Sequence, residues 1–255
     1  MKGYIAFTKK EFIEAARTYK LLILMLVFLV FGIMSPLTAK FTPDLMDALM
    51  PEGMNITLAA PTSLDSWTQF YKNVSQMGLL VLVILFSTLV TSELSKGTLI
   101  HMLTKGVPRR TVLLSKFTAS STLWTLAYLT CFAVSYGYTL YFWKDGPGTA
   151  DLLFSAFCLW LFGILLISGS ILAGAASSSS SSCLLLTGGG VAAGFLINLL
   201  PKMQKYNPLY LASKNMKLLH GQAECIDFLP SILVTVGMIL IFILLSCAIF
   251  DRKKL

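Results

Sequence analysis

Six long stretches without charge constrain this chain more than anything else in it. They run over residues 21–39, 74–91, 117–142, 152–176, 183–200 and 229–250. Each is long enough to cross a hydrocarbon core of about 30 Å as a helix. A backbone in lipid has to satisfy its own hydrogen bonds, and the alternation of a barrel strand is missing, so the six are read as α-helices. The expected fold class is all-α: a polytopic membrane protein with six transmembrane helices and an N-terminal amphipathic interfacial helix. Composition agrees, with 56% of residues hydrophobic and only 13% charged, about half the charge of a soluble domain. The first stretch exceeds the apolar region of a signal peptide and is read as a retained anchor.

Lysine and arginine set the expected orientation. Lys2, Lys9, Lys10, Arg17 and Lys20 precede the first span. Lys96, Lys105, Arg109, Arg110 and Lys116 surround the connection between the second and third, and Arg252, Lys253 and Lys254 close the chain. These thirteen of the twenty basic residues fall on one side, which the positive-inside rule assigns to the cytoplasm, together with both termini. The net charge of +8 is accounted for as a topology signal and calls for no nucleic acid. One loop runs the other way: 201–229 carries Lys202, Lys205, Lys214 and Lys217 on the expected outer side.

Residues 1–20 read as a cytoplasmic elbow helix. Ile5, Phe12, Ile13, Ala16 and Tyr19 share one helical face, and Lys10, Glu11, Glu14 and Arg17 the other. The remainder, 21–255, forms the transmembrane domain. Pro43, Pro51 and Pro61 rule out one long helix through the first outer loop, 40–72. Six serines, 177–182, separate the fourth and fifth spans, and Gly190 and Gly194 have the spacing of a close helix-packing pair. A short turn is expected at the serines. The five cysteines have neither CxxC nor metal spacing and read as small apolar residues.

What the sequence lacks narrows the function. No span centre carries Asp, Glu, Lys, Arg or His, which weighs against an ion-coupled carrier or channel. No HExxH, GxSxG or GxxxxGK[ST] motif occurs, so no catalytic residue, metal site or nucleotide site is assigned. If transport here is active, another chain must supply its energy.

The connection at about 93–110 is the most informative segment. Glu93 closes the second span, Lys96 and Gly97 follow, Leu99, Ile100, Met102 and Leu103 make an apolar turn or two, and Gly106 and Pro108 end it. A surface helix of that kind can dock into a partner's groove while its charges orient it. The pattern Glu93…Lys96-Gly97-Thr98-Leu99…Leu103…Pro108-Arg109-Arg110…Lys116 resembles the signature loop of ABC-2 type transporter permeases, the membrane subunits of ABC exporters. Leader, spans and loops follow the family's order over essentially the whole chain.

The resemblance implies a permease that moves an amphipathic or hydrophobic cargo, such as a peptide, drug or lipid. Its partners would be two copies of an ABC ATPase that bind ATP and Mg, a second copy of the permease or a homologous one, and membrane lipid. Glu93, Lys96, Gly97, Thr98, Leu99, Leu103, Pro108 and Arg109 would then couple to the ATPase, with Lys10, Glu11 and Arg17 on the bracing elbow. Pro201, Asn207, Pro208 and Tyr210 would belong to a re-entrant outer gate within 201–229. A non-transporting anchor or sensor that recruits an ATPase through the same loop stays open as the alternative.

Overall fold

The structure, a computed structural model, describes residues 2–49, 60–95, 97, 108–177 and 179–253. Among these residues the regular structure is helical throughout. Six helices or helix pairs are long and apolar enough to cross a membrane: Lys20–Asp44, Ser63–Glu93, Arg109–Phe142, Thr149–Ala176, Ser180–Asn198 and Cys225–Arg252. The six-span, all-α expectation holds.

Helix α1 (Lys2–Arg17) precedes the first span, α2 (Lys20–Leu49). Tyr19 turns the corner between them with φ +58°. α2 runs ten residues past the expected end at 39, through Pro36 and Pro43. Proline removes one N–H from the helix and leaves the carbonyl four residues earlier without its donor. For Pro36 that carbonyl belongs to Gly32, and the Ser135 hydroxyl donates to it at 2.9 Å instead. Gly32 permits this approach: a Cβ there would stand 2.9 Å from the Cys131 carbonyl oxygen.

The second span is built from α3 (Ser63–Asn73), one π-helical turn over Val74–Gly78, and α4 (Leu79–Ser95). Residues 63–72, at the end of the expected outer loop, are therefore helical and continuous with the membrane span. Its start is fixed by Asp65, whose Oδ2 accepts from the Thr62 N–H and hydroxyl, both at 2.8 Å. Helix α5 (Arg109–Phe142) begins directly at Arg109 after Pro108, earlier than the apolar run suggests. Proline suits this position because the first helical N–H groups have no intrahelical partner.

Helix α6 (Thr149–Ala176) is the centre of the bundle, with 72% of its most apolar stretch buried, against 11% for α7 (Ser180–Asn198). Aromatic packing fastens α6 to α5. Trp124 Nε1 donates to the Trp160 carbonyl at 3.1 Å, Tyr128 donates to the Ala156 carbonyl at 2.9 Å, and a side chain at Gly163 would overlap the Trp124 indole. The described serines flank the change of direction between α6 and α7. α6 ends at Ala176, and Ser179 caps α7 by accepting from the Ser182 N–H at 3.2 Å. Ser180 meets Thr91 of α4 at 3.0 Å. A single 3₁₀ turn (Gln204–Tyr206) and two short helices, α8 (Tyr210–Ser213) and α9 (Asn215–Leu219), lead into the last span, α10 (Cys225–Arg252).

Candidate functional site

One end of the bundle gathers α1, the close of α4, the opening of α5, the α6–α7 corner and the close of α10. The sequence places the 93–110 connection here. Lys96, Thr98, Leu99 and Leu103 lie outside the described residues, so the site is built from what flanks them.

The two flanks are tied together by buried charge. Lys116, 1% exposed, sits two helical turns into α5. Its ammonium lies 3.0 Å from Glu11 Oε1 and 3.0 Å from Glu93 Oε2, and both of those carboxylates are 5% exposed. Lys10 bridges Glu93, Glu11 at 3.1 Å and Glu14 at 2.6 Å. One knot therefore joins the N-terminal helix to the last turn before the connection and to the helix that leaves it. Three carboxylates face Lys10 and Lys116, and Lys20 at the foot of α2 is a third cation within electrostatic reach. Such balance is what allows charge to stay buried, because an unpaired ion would cost several kcal/mol.

The electrostatics of α1 follow from this geometry. Burial works to lower the Lys10 pKa, but hydrogen bonds to Glu14 and Glu93 and the nearby Glu11 charge outweigh it and raise it. Burial works to raise the Glu14 pKa, and the Lys10 ammonium overcomes it, so Glu14 stays below the usual glutamate value. Glu11, Glu14 and Glu93 could bring three oxygens to one cation, lying within 4.8 Å of one another. The lysine ammonium groups already stand where that cation would sit, so the arrangement is a salt-bridge knot.

The knot also fixes which way α1 faces. Phe7, Glu11 and Ala15 point into the bundle, and Tyr4 meets Thr118 of α5 at 2.5 Å. Ile5, Ile13 and Ala16 remain exposed. The charged face turns inward at Lys10, Glu11 and Glu14, because partners for it lie on α4 and α5. Arg17, in the last turn, is exposed.

Gly97 has φ +68°, a left-handed conformation that glycine adopts without steric cost. Pro108 is the N-cap of α5. The Arg109 guanidinium donates to the carbonyls of Phe250 and Lys253 at 2.9 and 2.6 Å, closing the C-terminal end of α10. Lys253 in turn donates to the carbonyls of Ala175 and Ser177 at 3.0 and 2.5 Å. Arg109 thereby ties the start of α5 to the end of α10, and Lys253 ties that end to the close of α6. Sequence reasoning placed Lys116 in the loop pattern and Glu14 on the leader's charged face but gave neither a role in this site, and it did not assign Lys253 to it. Lys116 was visible as a basic residue beside a span, but its partners are 105 and 23 positions away.

The remaining expected residues are at the other end. Asn207 donates to the Gly194 carbonyl at 2.7 Å and accepts from the Leu209 N–H at 3.1 Å. A side chain at Gly194 would come within 2.9 Å of Leu209, so this glycine serves a close approach inside the chain. Gly190 has open space beside it. Pro201 and Pro208 lie in the turns around the 3₁₀ segment, and the Tyr210 ring packs edge-on against Phe228 at 5.0 Å. Lys205 pairs with Asp227 at 3.0 Å, and that carboxylate raises the lysine's pKa.

An all-α chain with six helices of membrane-crossing length and apolarity defines a multi-pass membrane protein. The family described as ABC-2 family transporter protein matches residues 5–203. The chain belongs to that family and is a membrane transport component. It is also similar to an uncharacterized transmembrane protein, YxlG of Bacillus subtilis (strain 168), at 22% identity over 231 residues, covering 87% of each chain.

Proposed function

We propose that this chain is the transmembrane permease subunit of an ATP-driven exporter, working with a separate ABC ATPase. The observation that carries the reading is the Glu11–Lys116–Glu93–Lys10 knot, which clamps both flanks of the 93–110 connection to each other and to α1. A force applied to that connection by a partner would be passed to α1, α4 and α5 together. Family membership supports an ABC ATPase as that partner.

In this reading the basic end, with both termini, faces the cytoplasm of a cell membrane. Lys96 to Leu103 couple to the ATPase, and α1 with Lys10, Glu11 and Arg17 is the elbow, its exposed Ile5–Ile13 face set into the membrane interface. Two permease chains form the pathway and two ATPase chains drive it, with ATP and Mg held by the ATPases. The outer segment with Pro201, Asn207, Pro208 and Tyr210 gates the far side. The cargo is amphipathic or hydrophobic.

Reconstitution with the cognate ATPase tests the coupling. Glu93→Ala and Gly97→Pro should abolish the permease-dependent part of ATP hydrolysis, while Gly188→Ala, in open space on α7, should leave it intact. Unchanged hydrolysis and unchanged assembly in both coupling variants would remove the assignment.

A further inference from the structure

A groove of about 790 Å³ opens between α6, α7 and α10. Along α10 its wall runs from Val234 to Ile249, a rise of about 22 Å at 1.5 Å per residue. The hydrocarbon core is about 30 Å thick, so the groove is deeper than a single leaflet. Its lining is almost entirely aliphatic or aromatic. The polar groups within it are already engaged: Thr187 donates to the Cys183 carbonyl at 2.9 Å, and the Asn207 amide is held by Gly194 and Leu209. Such walls recognise a hydrocarbon chain and offer little to a polar ligand.

The end of the groove nearest the 201–209 segment has a different character. Met203 and Tyr206 line it, and Lys202 and Lys205 precede them directly in the chain. No acidic residue occurs between Asp151 and Glu224, a stretch that carries Lys202, Lys205, Lys214 and Lys217. Lys205 is matched by Asp227, while Lys202 is exposed beside Met203. This is the loop whose positive charge the topology rule leaves unexplained. Positive charge at the end of an apolar, membrane-depth groove complements one class of molecule, an amphiphile with a long chain and an anionic head.

We propose that this groove binds an anionic phospholipid from the membrane, one acyl chain lying along α10 and the headgroup phosphate against Lys202. The site requires neither ATPase nor cargo movement, so it stands or falls separately from the exporter reading.

Two glycines of α7 provide a matched test. Gly190 lines the groove and has nothing within 4 Å of where its Cβ would be. Gly188 is equally open but lies outside the lining. The purified full chain is incubated with dioleoyl phosphatidylglycerol or dioleoyl phosphatidylcholine, and retained lipid is counted by native mass spectrometry. The wild type and Gly188→Leu should retain one phosphatidylglycerol in preference to phosphatidylcholine. Gly190→Leu should lower that retention about tenfold at unchanged melting temperature, and Lys202→Gln should equalise the two lipids. Equal retention by Gly190→Leu and Gly188→Leu overturns the site. An unchanged preference in Lys202→Gln overturns the headgroup assignment. If Gly190→Leu dissociates a dimer without changing retained lipid, the groove belongs to a second copy of the chain and the proposal fails.

Discussion

Replacing Lys116 with methionine tests the buried knot most severely. Methionine matches the four-atom apolar stem of lysine, with sulfur in place of Cδ, and lacks the ammonium, which lies 3.0 Å from Glu11 and from Glu93. Two carboxylates, each 5% exposed, are then left with Lys10 between them. Removing one partner of a buried ion pair costs about 3–5 kcal/mol. For a chain of this size each kcal/mol moves the melting temperature by about 2–4 °C, so a loss of roughly 6–20 °C is expected. Intrinsic tryptophan fluorescence in one detergent at one fixed scan rate reads the change, since membrane proteins often unfold irreversibly. Glu11→Leu added to Lys116→Met removes the stranded carboxylate and should recover part of the loss. A Lys116→Met melting temperature within about 2 °C of wild type, on the same scale, would show that the knot does not hold these helices.

Three further outcomes follow from local geometry. Glu14 has a lowered pKa in the folded chain, so its contribution is present above the ordinary glutamate value of 4.5 and is lost as pH falls through the lower folded value. The melting-temperature difference between wild type and Glu14→Gln should therefore favour wild type at pH ~7 and vanish in strong acid; a difference that persists there contradicts the assignment. Ser135→Ala should cost about 1–3 kcal/mol by leaving the Gly32 carbonyl without a donor. Pro36→Ala should cancel most of that loss by restoring the helix N–H, and additive effects in the double-mutant cycle would disprove the link. Gly32→Ala should destabilise by about 1–3 kcal/mol because the new methyl meets a backbone oxygen that cannot step aside, whereas Gly188→Ala should not; equal melting temperatures for the two would refute the close-packing argument.

Much of the fold was legible because lipid imposes a simple rule: a span must be long and uncharged. That rule finds the spans but misplaces their ends. Within α2 a serine on another helix replaces the donor that Pro36 lacks, and α5 starts at Arg109, where its arginine has carbonyls of α10 to cap. Neither partner can be read from local composition. The candidate site divides the same way. Glu93, Gly97 and Pro108 stand out from the order of residues along one loop. The pairing of Glu93 with Lys10 and of Lys116 with Glu11 spans 83 and 105 positions, so only the folded chain brings them together. The charged face read for α1 did not reveal that Glu11 would be buried. A charged face turns inward when matching charge waits there.

The most direct test of the central claim is proximity between the 93–110 connection and an ABC ATPase. Single cysteines are introduced as Leu99→Cys and Leu103→Cys in a chain whose five native cysteines are replaced, and cross-linking to the co-expressed ATPase is followed with and without ATP. The account predicts a permease–ATPase adduct from both positions, with a yield that changes on adding ATP, and none from Leu185→Cys on the exposed face of α7. Absence of any adduct from Leu99→Cys and Leu103→Cys, in a complex that assembles and hydrolyses ATP normally, would contradict it.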